Sequence, residues 1–218
     1  NNTIFVYDVV INEIMYDSIS GQDDDEYVEL YNKGTNAVSL GGWRFVDGID
    51  YTFPSNAVLA AGGYVVVGKS VTNLLARYAN LNGTNAFGNF DGNLKNRGER
   101  LALAMPDVNY TTNQLGHVET HKVYVVVDEV TYGVGGKWPQ WAHEGGSSLE
   151  LIDARANHRL PSSWADSDET AKAPWTLMEA SGPMDNVDTF SSGTKPSPNA
   201  VEGGLMEAGE CLLDSIEI

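Results

Sequence analysis

Three groups of side chains in this sequence have the residue types from which a site is built. The first is "DDDE" at Asp23–Glu26, four consecutive acids that run straight into "YVELYN". Calcium takes about six to eight oxygen ligands, and carbonyls of the preceding "DSISGQ" would add to the carboxylates. The spacing argues against it, because an EF-hand loop alternates its acids as Asp-x-Asp-x-Asp-Gly. A chain with 30 acidic residues also brings some of them together by chance. Neighbouring carboxylates without a cation repel one another and belong where water screens them. The expectation is that Asp23, Asp24, Asp25 and Glu26 form a solvated loop tip.

The second group is histidine. His117 and His121 stand four residues apart, on one side of a helix turn or of a strand, and His143 with Glu144 completes a zinc set on paper. No tight pair of Cys or His ligands accompanies them, and all lie in stretches that read as loops. Exposed loop histidines are expected. The third group is the carboxylates. Glycoside cleavage needs two of them roughly 5–10 Å apart across a sugar cleft. Glu13, Glu29 and Glu129 sit within strand-like runs that define no cleft. Glu13, in an otherwise apolar run, reads as an outward-pointing or hydrogen-bonded structural carboxylate. No GxSxG elbow, P-loop or His-Glu-x-x-His helix is present. Tyr27 and Tyr31 share the face opposite Val28 and Leu30; exposed tyrosines stack on sugar rings, but such rings more often pack beneath a covering segment. No catalytic, cofactor-binding or metal-ligating residue is expected, and the chain does not read as an enzyme.

The elements that must position these groups are strands. Short apolar runs punctuated by Gly, Asn, Asp and Pro predict an all-β sandwich. The runs are Val9–Met15, Tyr27–Asn32, Trp43–Val46, Tyr51–Phe53, Tyr64–Gly68, Arg100–Ala104, Val123–Tyr132 and Ser148–Ile152, with turns at "NKGTN", "VDGID", "AAGG" and "NRGE". Only "SVTNLLARYANL" has helical spacing, with Leu74, Leu75, Tyr78 and Leu81 on one face and Ser70 or Thr72 as the cap. From about Asp153 the composition shifts to Ser, Pro, Asp and Thr, with Trp164 and Trp175 as anchors. This predicts an irregular strap over residues 154–209, laid on a sandwich formed by residues 1–153. The apolar "ECLLDSIEI" that follows reads as the first strand, residues 210–218, of a further domain cut short by the end of the chain.

Composition narrows the partners. The formal net charge is −17, and the 13 Lys and Arg form no basic stripe. Such a field repels phosphate backbones and anionic membranes, so nucleic acid is not an expected partner. No apolar run approaches the ~20 residues of a spanning helix, and "IFVYDVVIN" at Ile4–Asn12 lacks the basic start and cleavage site of a signal peptide. Cys211 is the single cysteine, so no internal disulfide forms. A hydrophobic fraction of 42%, with five Trp and ten Tyr, supports a substantial core.

The order of several strand signatures carries a resemblance. "INEIMYD" leads into "DEYVELYNKG", then "VSLGGWRFVD" and "YTFPSNAVLAAGGYVVV"; later come "VVDEVTYG", "KWPQ", "GGSSLELID" and "LPSSWADS". Together, from Val9 to about Trp164, they resemble the lamin tail domain family, in its bacterial, exported branch. The resemblance implies an immunoglobulin-like β-sandwich that serves as a non-catalytic interaction, targeting or spacing module of a secreted or cell-surface multidomain protein. Its flanking domains are often hydrolases. A protein or glycan ligand of unknown identity is implied, without membrane insertion and without a cofactor. The alternative reading is a carbohydrate-binding accessory module of a secreted hydrolase. Two features depart from the family pattern: "GTKPSPN" stands where a Gly-Thr-Pro-Gly-like turn is usual, and "VNYTTNQLGHVETHK" lengthens the hairpin after Leu103.

Overall fold

The computed structural model describes residues 7–167, together with two short strands further on. The chain divides into two compact units, Asn1–Glu169 and Thr170–Ile218.

Within the first unit the strands are β1 (Val9–Met15), β2 (Tyr27–Asn32), β3 (Val38–Ser39), β4 (Arg44–Asp47), β5 (Val58–Leu59), β6 (Tyr64–Gly68), β7 (Ala86–Gly88), β8 (Arg100–Thr112), β9 (Val118–Thr131), β10 (Leu149–Leu151) and β11 (Trp164–Asp166), with one helix, α1 (Val71–Arg77). A six-stranded sheet runs β11-β10-β1-β2-β6-β7, and a three-stranded sheet runs β4-β8-β9. A small ladder joins β3 to β5. All pairings are antiparallel except that of β7 with β6. This is the all-β, immunoglobulin-like sandwich architecture expected from the sequence. The second unit contributes Asp188–Phe190 paired antiparallel with Val201–Gly203.

Period-two alternation decides which side chains enter the core. Ile14, Val28, Leu30, Val65, Val67 and Leu149 from the larger sheet meet Phe45, Leu101, Leu103 and Val130 from the smaller one. Trp43 and Phe45 are buried while Val46 is exposed, as their alternation predicts. In β1 the register slips between Ile11 and Glu13. That bulge lets Ile11 and Ile14, three positions apart, both enter the main core. Gly62, in "AAGG", holds a φ of +63°, the left-handed conformation that turn requires.

The back of the larger sheet carries a second, smaller cluster. Met15, Tyr27, Val66 and Leu74 are buried there, with Tyr78 and Leu81 packed against them. The hydroxyl of Ser70 accepts from the Asn73 amide and caps α1. Leu75, expected on the buried face, is exposed. The helix ends at Arg77, so Tyr78 and Leu81 reach the cluster from the chain beyond it.

The segment expected as a strap begins irregularly, with turns and a 3-10 turn at Pro161–Ser163, and then supplies the edge strand β11 beside β10. Trp164 is buried in the core, and its indole N–H donates 2.8 Å to the His158 carbonyl. Trp175 and residues 210–218 lie outside the described residues. The extension after Leu103, expected as a loop, is strand: β8 and β9 stay paired from Arg100↔Thr131 out to Thr112↔Val118.

Candidate functional site

The acidic loop does not match its expectation as a uniformly solvated tip. Asp23–Asp25 form one 3-10 turn, and only Asp23 and Asp24 are exposed. Asp25 accepts from Arg77 at 3.0 Å and from the Ser20 hydroxyl at 2.6 Å, and Asp23 pairs with Asn93. Glu26 is 1% exposed, its Oε2 accepting the Leu94 amide at 2.9 Å. Burial pushes the Glu26 carboxyl up to about 7; the Leu94 bond opposes this, while Asp23 adds to it. The loop is thus a structural knot that joins β2, α1 and the chain before β8.

The histidines are dispersed. His117 lies at the tip of the β8–β9 hairpin, where its amide donates to Asn113. His121, expected in a loop, stands on β9, where Nε2 is 2.9 Å from the Thr111 hydroxyl. His143 is elsewhere, with Nδ1 2.8 Å from Asp17. Among the described residues no group of three His, Cys, Asp or Glu is placed to hold a metal ion.

The outer face of the larger sheet brings the candidate carboxylates and tyrosines together. Glu13 on β1 is in register with Glu29 on β2 and with Glu150 on β10, a row of three across adjacent strands. Like charges side by side are costly unless donors meet them. Glu13 accepts from the Tyr27 hydroxyl at 2.6 Å and the Ser148 hydroxyl at 2.5 Å, and Glu29 accepts from Asn12 at 2.9 Å. Tyr27 is buried under α1 and is not an exposed ring. Tyr31 instead stacks on Tyr64, with centroids 4.6 Å apart and planes 25° from parallel. Tyr64 is 49% exposed. Burial raises its hydroxyl pKa, and Tyr31, Glu29 and Glu150 add to the effect, which places the ring beside the acidic row. Tyr64 escaped notice in the sequence because it opens an otherwise apolar run; its in-register pairing with Tyr31 supplies the meaning.

A second polar concavity, of roughly 330 Å³, lies where β9 meets the segment before β11, between Lys33, Asp128, Arg155, Asn157, His158 and Arg159. Asp128 bridges the two sheets: its carboxylate accepts the Ile11 amide at 2.7 Å and faces His158 Nδ1 at 2.9 Å. His158 Nε2 lies 3.2 Å from the Ala154 carbonyl. An acceptor faces each ring nitrogen, an arrangement that favours the protonated imidazole over the neutral one. Burial pulls its pKa down, and Asp128 more than offsets this, so the pKa lies above the ordinary histidine value. Glu129, considered above as a catalytic candidate, is clamped between Arg100 and Arg159, and Arg100 holds it below the usual carboxylate range.

The lamin tail domain family model matches residues 6–171. The chain belongs to the lamin tail domain family. The match spans every strand of the first unit, including β11, so this lamin tail domain closes with the Trp164 strand rather than at β10. A comparison with curated proteins finds no match. The family's domains are immunoglobulin-like interaction modules and are generally non-catalytic. In this lamin tail domain Glu13, Glu29 and Glu129 are engaged by donors of the fold.

Proposed function

We propose that this lamin tail domain is an interaction, targeting or spacing module of a secreted or cell-surface bacterial protein, joined there to other domains. The observation that carries the non-catalytic part is the state of its carboxylates. Glu13 is held by Tyr27 and Ser148, and Glu129 by Arg100 and Arg159. A general acid or base must be free to exchange a proton with substrate. The exported, multidomain setting rests on the resemblance of the strand signatures to that branch of the family. A panel of glycoside, peptide, ester and phosphodiester substrates should give no turnover above buffer. Turnover lost in Glu13→Gln or Glu129→Gln would overturn the reading.

One observation favours a second reading, a carbohydrate-binding accessory module. The Tyr31–Tyr64 stack sits half-exposed beside Glu29, aromatic surface next to hydrogen-bonding groups. Glycan-array binding that disappears in Tyr64→Ala would select this reading; an array signal unchanged by that substitution would reject the face.

A further inference from the structure

Beyond the Pro106↔Tyr124 pair the β8–β9 hairpin continues as a two-stranded arm. Residues 107–112 of β8 and 118–122 at the start of β9 are all exposed. At ~3.3 Å per residue, the arm extends roughly 20 Å beyond the sandwich. Its two faces differ. Pro106, Val108 and Tyr110 share one face with Val118, Lys122 and Tyr124, and Asp107, Asn109 and Thr111 share the other with Glu119 and His121. Val108, Tyr110 and Val118 are 44%, 68% and 66% exposed. β4 covers β8 only as far as Ala104, so among the described residues both outer edges of the arm are unpaired. Isolated two-stranded ribbons are marginal in water, and a flat β-branched edge is a template for another strand.

We infer that this arm is a self-association element: two copies pair their β9 edges antiparallel about Thr120, giving a continuous β8-β9-β9-β8 ribbon. Charge is compatible with a second copy as the occupant. The chain carries a formal −17, yet residues 107–124 hold two acids and one lysine, a formal −1. The arm is where a like-charged copy approaches at low electrostatic cost. Its length keeps the two acidic bodies apart by more than twice the ~8 Å screening length at physiological salt. Centring on Thr120 sets Glu119 of each copy opposite His121 of the other, a favourable cross-strand pair, and keeps both apolar faces on one side. One face of the arm, roughly 20 by 10 Å, is well below the ~800 Å² per partner of a stable interface. Main-chain pairing therefore carries a weak, reversible contact.

Sedimentation velocity on the full chain, from about 10 µM to about 1 mM, should show a concentration-dependent dimer, as a contact this small associates only weakly. Thr120→Lys places two lysines opposite each other at the axis without touching the hairpin's own bonds, and should weaken dimerisation at least ~10-fold. An arm shortened by replacing residues 109–121 with Asn-Gly should be monomeric and still folded by far-UV circular dichroism. In a Cys211→Ser background, Thr120→Cys should form an intermolecular disulfide under mild oxidation, while Leu115→Cys should not. A wild type that stays monomeric to 1 mM overturns the inference, as does a dimer that survives arm shortening.

Discussion

Tyr16 is fully buried, its ring tilted against Tyr132 at 4.8 Å, and its hydroxyl has no hydrogen-bond partner among the described residues. A buried, unsatisfied hydroxyl costs about 1–3 kcal/mol of desolvation. Tyr16→Phe keeps the ring contact and removes the hydroxyl, so it should stabilise the domain by ~0.5–2 kcal/mol in urea unfolding; destabilisation would show that the hydroxyl has a partner. Glu26 poses the opposite problem, a charge held in the core by one amide donor. With its carboxyl raised to about 7, Glu26 is ionised and strained at pH 8 but protonated at pH 5. Glu26→Gln retains an acceptor for Leu94. The variant should exceed wild type by ~1–3 kcal/mol at pH 8 and match it at pH 5. An equal effect at both pH values would mean that the site is wet. Neither residue was legible in the sequence. Glu26 reads as the last of four acids, and its burial depends on Leu94, whose amide arrives from 68 positions later.

Among the elements, β1, β2 and β6 follow the sequence reading to the residue, because each is a short apolar run bounded by turn residues and lies inside the larger sheet. The two-residue strands β3 and β5 are too short to read, and Tyr51–Phe53, read as a strand, makes only an isolated bridge from Thr52 to Arg44. Three further features did not announce themselves, for separate reasons. β7 is three residues long and pairs in parallel with β6, so it has no hairpin turn to mark it. β11 lies in a Ser- and Pro-rich stretch and owes its place to Trp164 and to its pairing with β10. The β8–β9 arm buries nothing, so its Asn, Thr and Gly content resembles a loop. The β11 finding has a direct consequence. Ending the chain after Asp153 removes Trp164, bares the edge of β10 and deletes His158, the partner of Asp128. Exposing that apolar surface and open edge should drive aggregation. A chain ending at residue 153 that is as soluble and as stable as the full one would show that β11 contributes nothing.

For the molecule as a whole, two buried groups tilt stability the same way with pH. Glu26, raised to about 7, binds its proton more readily when folded, so stability falls as pH climbs from about 4.5 to 7. His158, raised above its ordinary value by Asp128, contributes stability that is complete below ~6.5 and is lost as pH rises through its folded pKa. Glu129 and Asp47 are held low by Arg100, and their contribution fades below about pH 4.5. The melting temperature should therefore peak near pH 5 and decline towards pH 8. A maximum at or above pH 8 would contradict both assignments. In Glu26→Gln the decline should be shallower and confined to the titration of His158.

β1 lies in the middle of the larger sheet, with β2 on one side and β10 on the other, and Glu13 pairs with Glu150. A ribosome adds roughly 5–20 residues per second, so β1 emerges ~7–30 s before the strand that closes its second edge. Through that interval a run of valine and isoleucine stands half-paired in the nascent chain. The larger sheet of this domain is thus completed only when its last strands have been made, and a stalled or shortened message leaves a central strand with an open edge.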